Sequence, residues 1–318
     1  MSKLSKYILP VGLVFCLAIS LFFFNTCSLE SVQSDKLKVG ATYMTLNKPY
    51  FQVINNEVEK EIRENGDILY TKDPALDADK QAEQIQNFID MGVDVIIVNP
   101  IDSFAIEENL LRAKEEGIKI IVIDTPLENE NIADCTVTSN NYQAGVLCAL
   151  DMMEKIEKAR IVLLEHNSVI SGRDRIQGFC DTIANNPNYV IVKELECLGQ
   201  TVPALNAMRD YLSRSDDFQV VMCLNDTAAL GVLAALEEQN KEDVLVYGVD
   251  GAPEIKALIA QSNVMEGSAS QSPIQMGKKA IYAAYRLTKD VEIGKEIFIG
   301  TELITKDNIS KFSISGWQ

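Results

Sequence analysis

Carboxylates and amides stand directly behind short apolar runs in this sequence. Asp124 and Asp250 each follow such a run, and Asn99 and Asn225 follow two others. Carboxylate oxygens accept hydrogen bonds, and amides both donate and accept them, so these side chains suit hydroxyl groups. Their positions predict the binding of a small polar ligand rich in hydroxyl groups rather than an apolar one.

The apolar runs themselves are the elements that would position these side chains. They are rich in Val and Ile, and such a continuous run is typical of a strand buried on both faces of a parallel sheet. In open parallel sheets, ligands bind beyond the carboxyl ends of the strands. The runs are Val93–Val98, Ile118–Ile123, Ile161–Leu164, Phe218–Leu224 and Val244–Val249.

Helical patterns alternate with the apolar runs. Gly66, Gly92 and Gly117 end three successive helical patterns at intervals of about 25 residues, as glycine often does where a helix stops. A second series of the same design begins after residue 140, and we expect its last strand at Phe298–Ile304. The alternation predicts an α/β fold with parallel, doubly wound sheets.

Composition limits the possible functions. The chain has 318 residues, enough for two domains, and its net charge of −17 argues against nucleic acid as a partner. Its seven cysteines form no CxxC pair, and neither a GxGxxG nor a P-loop motif is present, so no metal or cofactor is expected. No nucleophile and base can be paired, so we expect a binding protein rather than an enzyme.

The beginning of the chain has the character of an export segment. Two lysines precede Tyr7–Phe24, an apolar stretch of 18 residues that is typical of a signal peptide or a short membrane anchor. We therefore divide the start of the chain into a signal or anchor segment, 1–27, and a linker, 28–36. The sequence predicts an exported protein, periplasmic or on the cell surface, attached to the cytoplasmic membrane by residues 7–24 or by lipidation at Cys27.

Five motifs resemble the ribose-binding branch of the type I periplasmic sugar-binding proteins. Their fold is shared with the ligand domains of the lactose-repressor family. The motifs occur in the expected order between residues 37 and 305. They are Thr45–Phe51 (TLNKPYF), Val98–Ser103 (VNPIDS), Arg173–Phe179 (RDRIQGF), Leu224–Gly231 (LNDTAALG) and Gly248–Gly251 (GVDG).

The resemblance implies two Rossmann-like lobes that hold a sugar between them and are joined by three crossing strands. It places the crossings near Ser139, Gln271 and Leu303. The implied lobes are 37–139 plus 272–302 for the first and 140–271 plus 303–318 for the second.

The resemblance also assigns roles to individual residues. Tyr50 and Phe51 would stack on the faces of the sugar ring, although both also fit the core of a helix. Arg175 would donate to sugar oxygens and offset the carboxylates of Asp124 and Asp250, although an arginine here also suits a surface and an aspartate also caps helices. The other implied ligand contacts, of which the asparagines also suit turns or caps, are Asn99, Ser139, Asn225 and Gln271.

Three positions depart from the pattern of ribose binders. Met44 replaces a serine, Lys48 an asparagine, and Thr125 an arginine. The change in donors alters which hydroxyl groups are recognised, so the ligand class stays open between pentoses, hexoses, polyols and furanoses.

These observations predict an extracytoplasmic sugar-binding protein. It would close over a small carbohydrate or polyol and present it to an ABC permease. The alternative is a membrane-anchored accessory protein of a sugar-sensing histidine kinase, and a carbohydrate-active enzyme is a remote one. A transcription regulator of the same fold needs an N-terminal helix-turn-helix, where this chain has an apolar stretch.

Overall fold

The computed structural model describes residues 36–215 and 217–318. The predicted export segment, with its apolar stretch at 7–24 and Cys27, lies outside the described residues. None of the helices in the described part combines the length and apolarity needed to cross a bilayer.

The described part of the chain alternates strands and helices. The strands are β1 Lys38–Thr42, β2 Ile68–Lys72, β3 Val95–Val98, β4 Lys119–Asp124, β5 Cys135–Ser139, β6 Ala159–Glu165, β7 Tyr189–Glu196, β8 Val220–Cys223, β9 Leu245–Asp250, β10 Met265–Ser270, β11 Glu296–Ile299 and β12 Leu303–Thr305. The helices are α1 Pro49–Glu64, α2 Ala78–Asp90, α3 Glu107–Glu115, α4 Asn141–Lys155, α5 Ile170–Ile183, α6 Thr201–Leu212, α7 Asp226–Glu238, α8 Pro253–Gln261 and α9 Pro273–Leu287.

Two six-stranded sheets share one topology. The strand order is β11-β5-β4-β3-β1-β2 in the first sheet and β12-β10-β9-β8-β6-β7 in the second. All pairings are parallel except that of β12 with β10. In each sheet the order reverses beside the first strand, the topological switch point where open α/β sheets bind ligands. The predicted α/β fold with two doubly wound lobes is confirmed.

Both faces of the first sheet are buried, which explains its unbroken apolar runs. On β3, Val95 and Ile97 pack into one apolar cluster while Ile96 and Val98 pack into another on the opposite face. Successive strand residues point to opposite faces, so a strand covered by helices on both sides needs apolar residues at every position.

The predicted helix-ending glycines are confirmed by the backbone. Gly66, Gly92 and Gly117 have φ of 77°, 60° and 82°, in the left-handed region where side chains other than hydrogen are disfavoured. Each stands between a helix and the next strand of the first lobe.

One predicted strand is wrong in its extent. The run Phe298–Ile304 is divided between β11, which pairs with β5, and β12, which pairs with β10 in the other sheet. The chain therefore crosses between the sheets within this run, and a continuous strand would prevent the crossing. The other two crossings lie between β5 and α4 and between β10 and α9.

Candidate functional site

A cavity of about 550 Å³ lies between the carboxyl ends of the strands of the two sheets. This volume is in the range of small-molecule sites. Its wall includes seven of the nine residues singled out from the sequence, namely Tyr50, Phe51, Asp124, Arg175, Asn225, Asp250 and Gln271.

Two carboxylates reach the cavity from opposite sheets. Asp124 ends β4 of the first sheet and Asp250 ends β9 of the second. Their φ angles are 69° and 142°, positive values that are uncommon for residues other than glycine. Unusual backbone geometry of this kind concentrates at functional sites, where the surrounding structure enforces it.

Asp124 is only partly satisfied by the protein. Its Oδ2 accepts a hydrogen bond from Nδ2 of Asn99 at 3.3 Å, whereas its buried Oδ1 has no partner among the described residues. Burial raises the pKa of Asp124 to about 6, against the opposing effect of the Arg175 guanidinium. A buried acceptor without a donor is costly, and a ligand hydroxyl that reached this oxygen would relieve that cost.

Arg175 lies in α5 and is 5% exposed. Its Nε donates to Oδ1 of Asn141 at 2.9 Å and its Nη1 to the carbonyl of Leu224 at 3.0 Å. Its Nη1 also lies 3.7 Å from Oδ1 of Asp250, which places a cation beside the carboxylate. These hydrogen bonds hold the guanidinium in the cavity wall, where its remaining N–H groups suit ligand oxygens.

Close packing of α4 against α5 places Arg175. A Cβ on Gly178 would lie 2.0 Å from the carbonyl oxygen of Tyr142, and a Cβ on Gly145 would lie 1.9 Å from that of Arg175. Both glycines are therefore required for the two helices to approach this closely. Packing thus explains why a glycine stands at position 178, in the Arg173–Phe179 motif.

Gln271 connects the two lobes at one crossing. Its Oε1 accepts from the hydroxyl of Tyr50 at 3.2 Å, and its Nε2 donates to Oδ1 of Asp250 at 2.7 Å. Tyr50 begins α1 in the first lobe, whereas Asp250 belongs to the second. The glutamine amide thus joins an aromatic wall of the cavity to one of its carboxylates.

Tyr50 and Phe51 lie both in the core of the first lobe and on the cavity wall. Each is less than 8% exposed and belongs to the apolar core of the first lobe, and each also lines the cavity. Their ring centroids are 5.3 Å apart in an edge-to-face arrangement. The indole of Trp317 packs against Tyr50 at a centroid distance of 5.5 Å.

Asn99 and Ser139 do not line the cavity. Asn99 is fully buried behind Asp124, with its Oδ1 accepting from the backbone N–H of Met44 at 3.0 Å. Ser139 is buried at the end of β5, and its Oγ has no hydrogen-bond partner among the described residues. Asn99 therefore supports Asp124 and the Met44 backbone from behind the cavity wall.

Asp226 was not among the residues selected from the sequence, although it also follows an apolar run. It lines the cavity and accepts from Oγ of Ser268 at 2.6 Å and from the backbone N–H of Ala252 at 2.7 Å. Burial raises its pKa. The same Ser268 hydroxyl accepts from the backbone N–H of Gly251, so this network fixes the loop that follows Asp250.

Lys48 spans the cavity from one lobe to the other. It precedes α1 in the first lobe, and its Nζ donates to the carbonyl of Gly199 in the second lobe at 3.0 Å. Nδ2 of Asn225 donates to the same carbonyl at 3.2 Å, and Oδ1 of Asn225 caps α7. Asn225 therefore also caps a helix, the alternative role considered for it. The bond from Lys48 shows that the two lobes are in contact across the cleft.

The fold and the cavity are those of a two-lobed binding protein. The model of the periplasmic binding protein domain family matches residues 39–294. This match covers most of the chain, and the chain belongs to that family. The resemblance inferred from the five motifs is confirmed.

Named relatives support the same assignment. The chain is 31% identical over 301 residues to the ribose import binding protein of Bacillus subtilis (strain 168), a match covering 91% of this chain and 97% of the relative. A crystal structure of an ABC transporter solute binding protein from Mycobacterium smegmatis with bound glycerol is 30% identical, with a TM-score of 0.82 and coverage of 87% and 96%. The Caulobacter myo-inositol binding protein bound to myo-inositol is 26% identical, with a TM-score of 0.82 and coverage of 88% and 97%.

All three relatives are described as binding proteins, and the first two as binding proteins of import or transporter systems. The chain is accordingly a binding protein rather than an enzyme, as the sequence predicts.

Proposed function

We propose that this protein is an extracytoplasmic solute-binding protein for a small sugar or polyol. The observation that carries the proposal is the pair of carboxylates, Asp124 and Asp250, which reach one cavity from two different sheets with the Arg175 guanidinium beside them. This arrangement offers strong acceptors and a cationic donor to a ligand that carries several hydroxyl groups.

Recognition would combine polar and apolar contacts. Each carboxylate accepts hydrogen bonds from neighbouring hydroxyl groups, and the free Oδ1 of Asp124 is one such acceptor. Tyr50 and Phe51 supply aromatic surface for the C–H groups of a sugar or polyol ring. The cavity of about 550 Å³ suits a monosaccharide with ordered water rather than a long oligosaccharide.

Ligand contacts from both lobes favour a closed arrangement. We propose that the lobes open and close about the three crossings, and that the ligand shifts this equilibrium towards the closed state. The hydrogen bond from Lys48 to Gly199 belongs to the closed arrangement, because it joins residues of different lobes.

The ligand class is narrowed by positions that differ from ribose binders. Oγ1 of Thr125 accepts from the backbone N–H of Ser171 in the other lobe at 3.1 Å, so this residue contributes to lobe contact. Met44 and Lys48 both line the cavity. We propose a ligand other than ribose, and the relatives named with glycerol and myo-inositol support the inclusion of polyols among the candidates.

Isothermal titration calorimetry tests the proposal directly. The purified full-length chain, kept in a detergent without a sugar headgroup, is titrated with D-ribose, D-allose, myo-inositol and glycerol. We expect saturable heat with at least one of D-allose, myo-inositol and glycerol, and weaker or no heat with D-ribose. The absence of heat with all of them, from protein with a cooperative thermal transition, contradicts the proposal.

We propose an ABC permease as the receiver of the closed form, supported by relatives described as import and transporter binding proteins. We also retain the predicted attachment to the membrane by residues 7–24 or by lipidation at Cys27. Affinity purification from crosslinked membranes, with and without the bound sugar, identifies the receiver. Recovery of a histidine kinase in place of a permease supports the sensing alternative.

A further inference from the structure

One of the last residues of the chain, Trp317, lines the cavity. We call residues 312–318 the tail. Within it, Phe312 packs against the apolar core of the second lobe, whereas Trp317 packs against that of the first lobe and lines the cavity. The tail therefore extends from one lobe to the wall of the site.

A buried lysine holds the tail in place. Lys256 lies in α8 of the second lobe and is 0% exposed. Its Nζ donates to the carbonyls of Ser313 and Gly316 and to Oε1 of Gln318, at 2.6, 2.5 and 2.7 Å. An ammonium group has three N–H donors, so all three are satisfied by the tail. Removing this group leaves the tail oxygens without their donor.

Further contacts tie the tail to the loops that carry site residues. Nε2 of Gln318 donates to the carbonyl of Gly251, the residue after Asp250, at 3.2 Å. Oγ of Ser272, the residue after Gln271, donates to the carbonyl of Gln318. The position of the Trp317 indole is therefore coupled to the loops that present Asp250 and Gln271.

We propose that Trp317 contacts the ligand and limits which ligands fit, and that Lys256 is the residue that positions it. This inference rests on the proposed function. The indole adds apolar surface beside Tyr50, at a ring distance of 5.5 Å, and suits the C–H face of a sugar or polyol ring. It also narrows the cavity, so replacing it with a smaller side chain admits larger ligands.

Intrinsic fluorescence tests the contact without any mutation, because Trp317 is the only tryptophan of the chain. The full-length protein is titrated with D-ribose, D-allose and myo-inositol, and the emission spectrum and the calorimetric heat are recorded in parallel. We expect a saturable change in emission with the same Kd as the heat.

Heat without any change in emission contradicts the contact while leaving the proposed function intact. No heat with any ligand overturns the proposed function and the contact with it.

Substitutions test the role in specificity. We expect Trp317→Ala to weaken binding of the tightest of the three ligands at least tenfold and to reduce the preference among them. Trp317→Phe should lose less affinity, because it retains aromatic surface. Equal Kd values, within twofold, for wild type and Trp317→Phe and Trp317→Ala overturn the proposal.

Lys256→Met tests the positioning role against a matched control. The substitution keeps an unbranched side chain, one atom shorter, and removes the ammonium. Lys311→Met does the same at an exposed lysine just before the tail. We expect Lys256→Met to increase acrylamide quenching of Trp317 at least twofold and to weaken binding, and Lys311→Met to do neither. Unchanged quenching in Lys256→Met, with its fold verified by circular dichroism, overturns the positioning role.

Discussion

At the scale of single residues, the cavity wall holds three carboxylates, and one of their oxygens, Oδ1 of Asp124, has no partner among the described residues. The three are Asp124, Asp226 and Asp250, with Arg175 and Lys48 as the cations near them. Burial raises the pKa of all three carboxyls and lowers that of Lys48. Hydroxyl donors of a ligand offset the cost of keeping such carboxylates ionised, so binding and ionisation are expected to be linked.

The affinity for sugar is expected to depend on pH through Asp124. The pKa of this carboxyl in the folded protein is about 6, and the ionised form is the better acceptor for ligand hydroxyls. Lowering the pH from about 7.5 to about 5 should weaken binding by up to about tenfold, because the carboxyl must then be deprotonated at a cost. Calorimetry across this pH range with the tightest ligand measures the effect.

Asp124→Asn provides the control for this pH dependence. The variant should bind weakly at all pH values and lose the part of the dependence that is centred near pH 6. Asp226, whose pKa burial raises to about 8, keeps its own contribution at higher pH. The pKa of Asp124 in the folded protein, about 6, lies above the ordinary value of 3.8. The ligand-free protein should therefore lose stability as the pH rises from about 3.8 to about 6. Asp124→Asn should remove that loss, on the order of 3 kcal/mol at most. An unchanged pH profile contradicts the assignment to Asp124.

Arg175→Met is expected to weaken sugar binding strongly. The substitution removes the cation that lies 3.7 Å from Asp250 and the donors directed at the cavity. Hydrogen bonds to charged groups contribute about 1.5–3 kcal/mol, so Kd should rise by roughly ten- to a hundredfold. Arg209→Met, on α6 with an exposed side chain paired to Glu238 within the second lobe, should change Kd by less than about threefold. Calorimetry that finds equal losses for both variants contradicts a specific role for Arg175.

At the scale of secondary structure, the site depends on how closely α4 and α5 approach. Gly145 and Gly178 each face a backbone carbonyl of the other helix, and the carbonyl that faces Gly145 is that of Arg175. The guanidinium also bonds to Asn141 at the start of α4. Helix packing and ligand contact are thus connected through one side chain.

Gly178→Ala is expected to force these helices apart. A Cβ at this position would meet a backbone oxygen at 2.0 Å, and a backbone atom cannot turn away as a flexible side chain can. Overpacking of this kind costs about 1–3 kcal/mol, and it should also weaken sugar binding by displacing Arg175. Urea unfolding gives the stability change and calorimetry the affinity.

Gly300→Ala is the control for the effect of a methyl group alone. Nothing lies within 4 Å of the added carbon, and the residue does not have positive φ. Its stability should change by less than about 0.5 kcal/mol. If the two variants have the same free energy of unfolding, α4 and α5 tolerate separation without loss of stability, which contradicts the packing argument.

At the scale of the whole molecule, the two lobes are joined both by the chain crossings and by contacts across the cleft. Lys48 bonds to Gly199, and Thr125 accepts from the backbone of Ser171. Contacts made only when the lobes are together add to the stability of the closed state, whether or not a ligand is present.

Lys48→Met is expected to shift the lobes towards the open state. It removes a charge-assisted hydrogen bond across the cleft, so sugar binding should weaken by roughly three- to tenfold. In small-angle X-ray scattering, the ligand-free variant should have a larger radius of gyration than the wild type, and a saturating ligand should reduce the difference. Lys60→Met, at an exposed site on α1, should match the wild type. Equal radii for all three ligand-free proteins contradict a role for Lys48 in closure.

The local features of this fold follow from local patterns in the sequence. Unbroken Val and Ile runs predict strands covered on both faces, and Gly66, Gly92 and Gly117 predict helix ends. Both patterns depend on adjacent residues and on their backbone preferences. A short stretch of sequence is therefore enough to recognise them. The carboxylates behind two runs were likewise predictable as strand-end groups, because parallel strands present their carboxyl ends at one edge.

Tertiary structure decided which of these polar residues face the cavity. Asn99 and Asn225 both follow apolar runs, yet the packing places Asn99 behind Asp124 and Asn225 on the cavity wall. It also divides Phe298–Ile304 between two sheets and brings Trp317 beside Tyr50. The physical reason is that a cavity wall is made by contacts between residues far apart in the chain, and the sequence around Trp317 contains no signal of its distant partners.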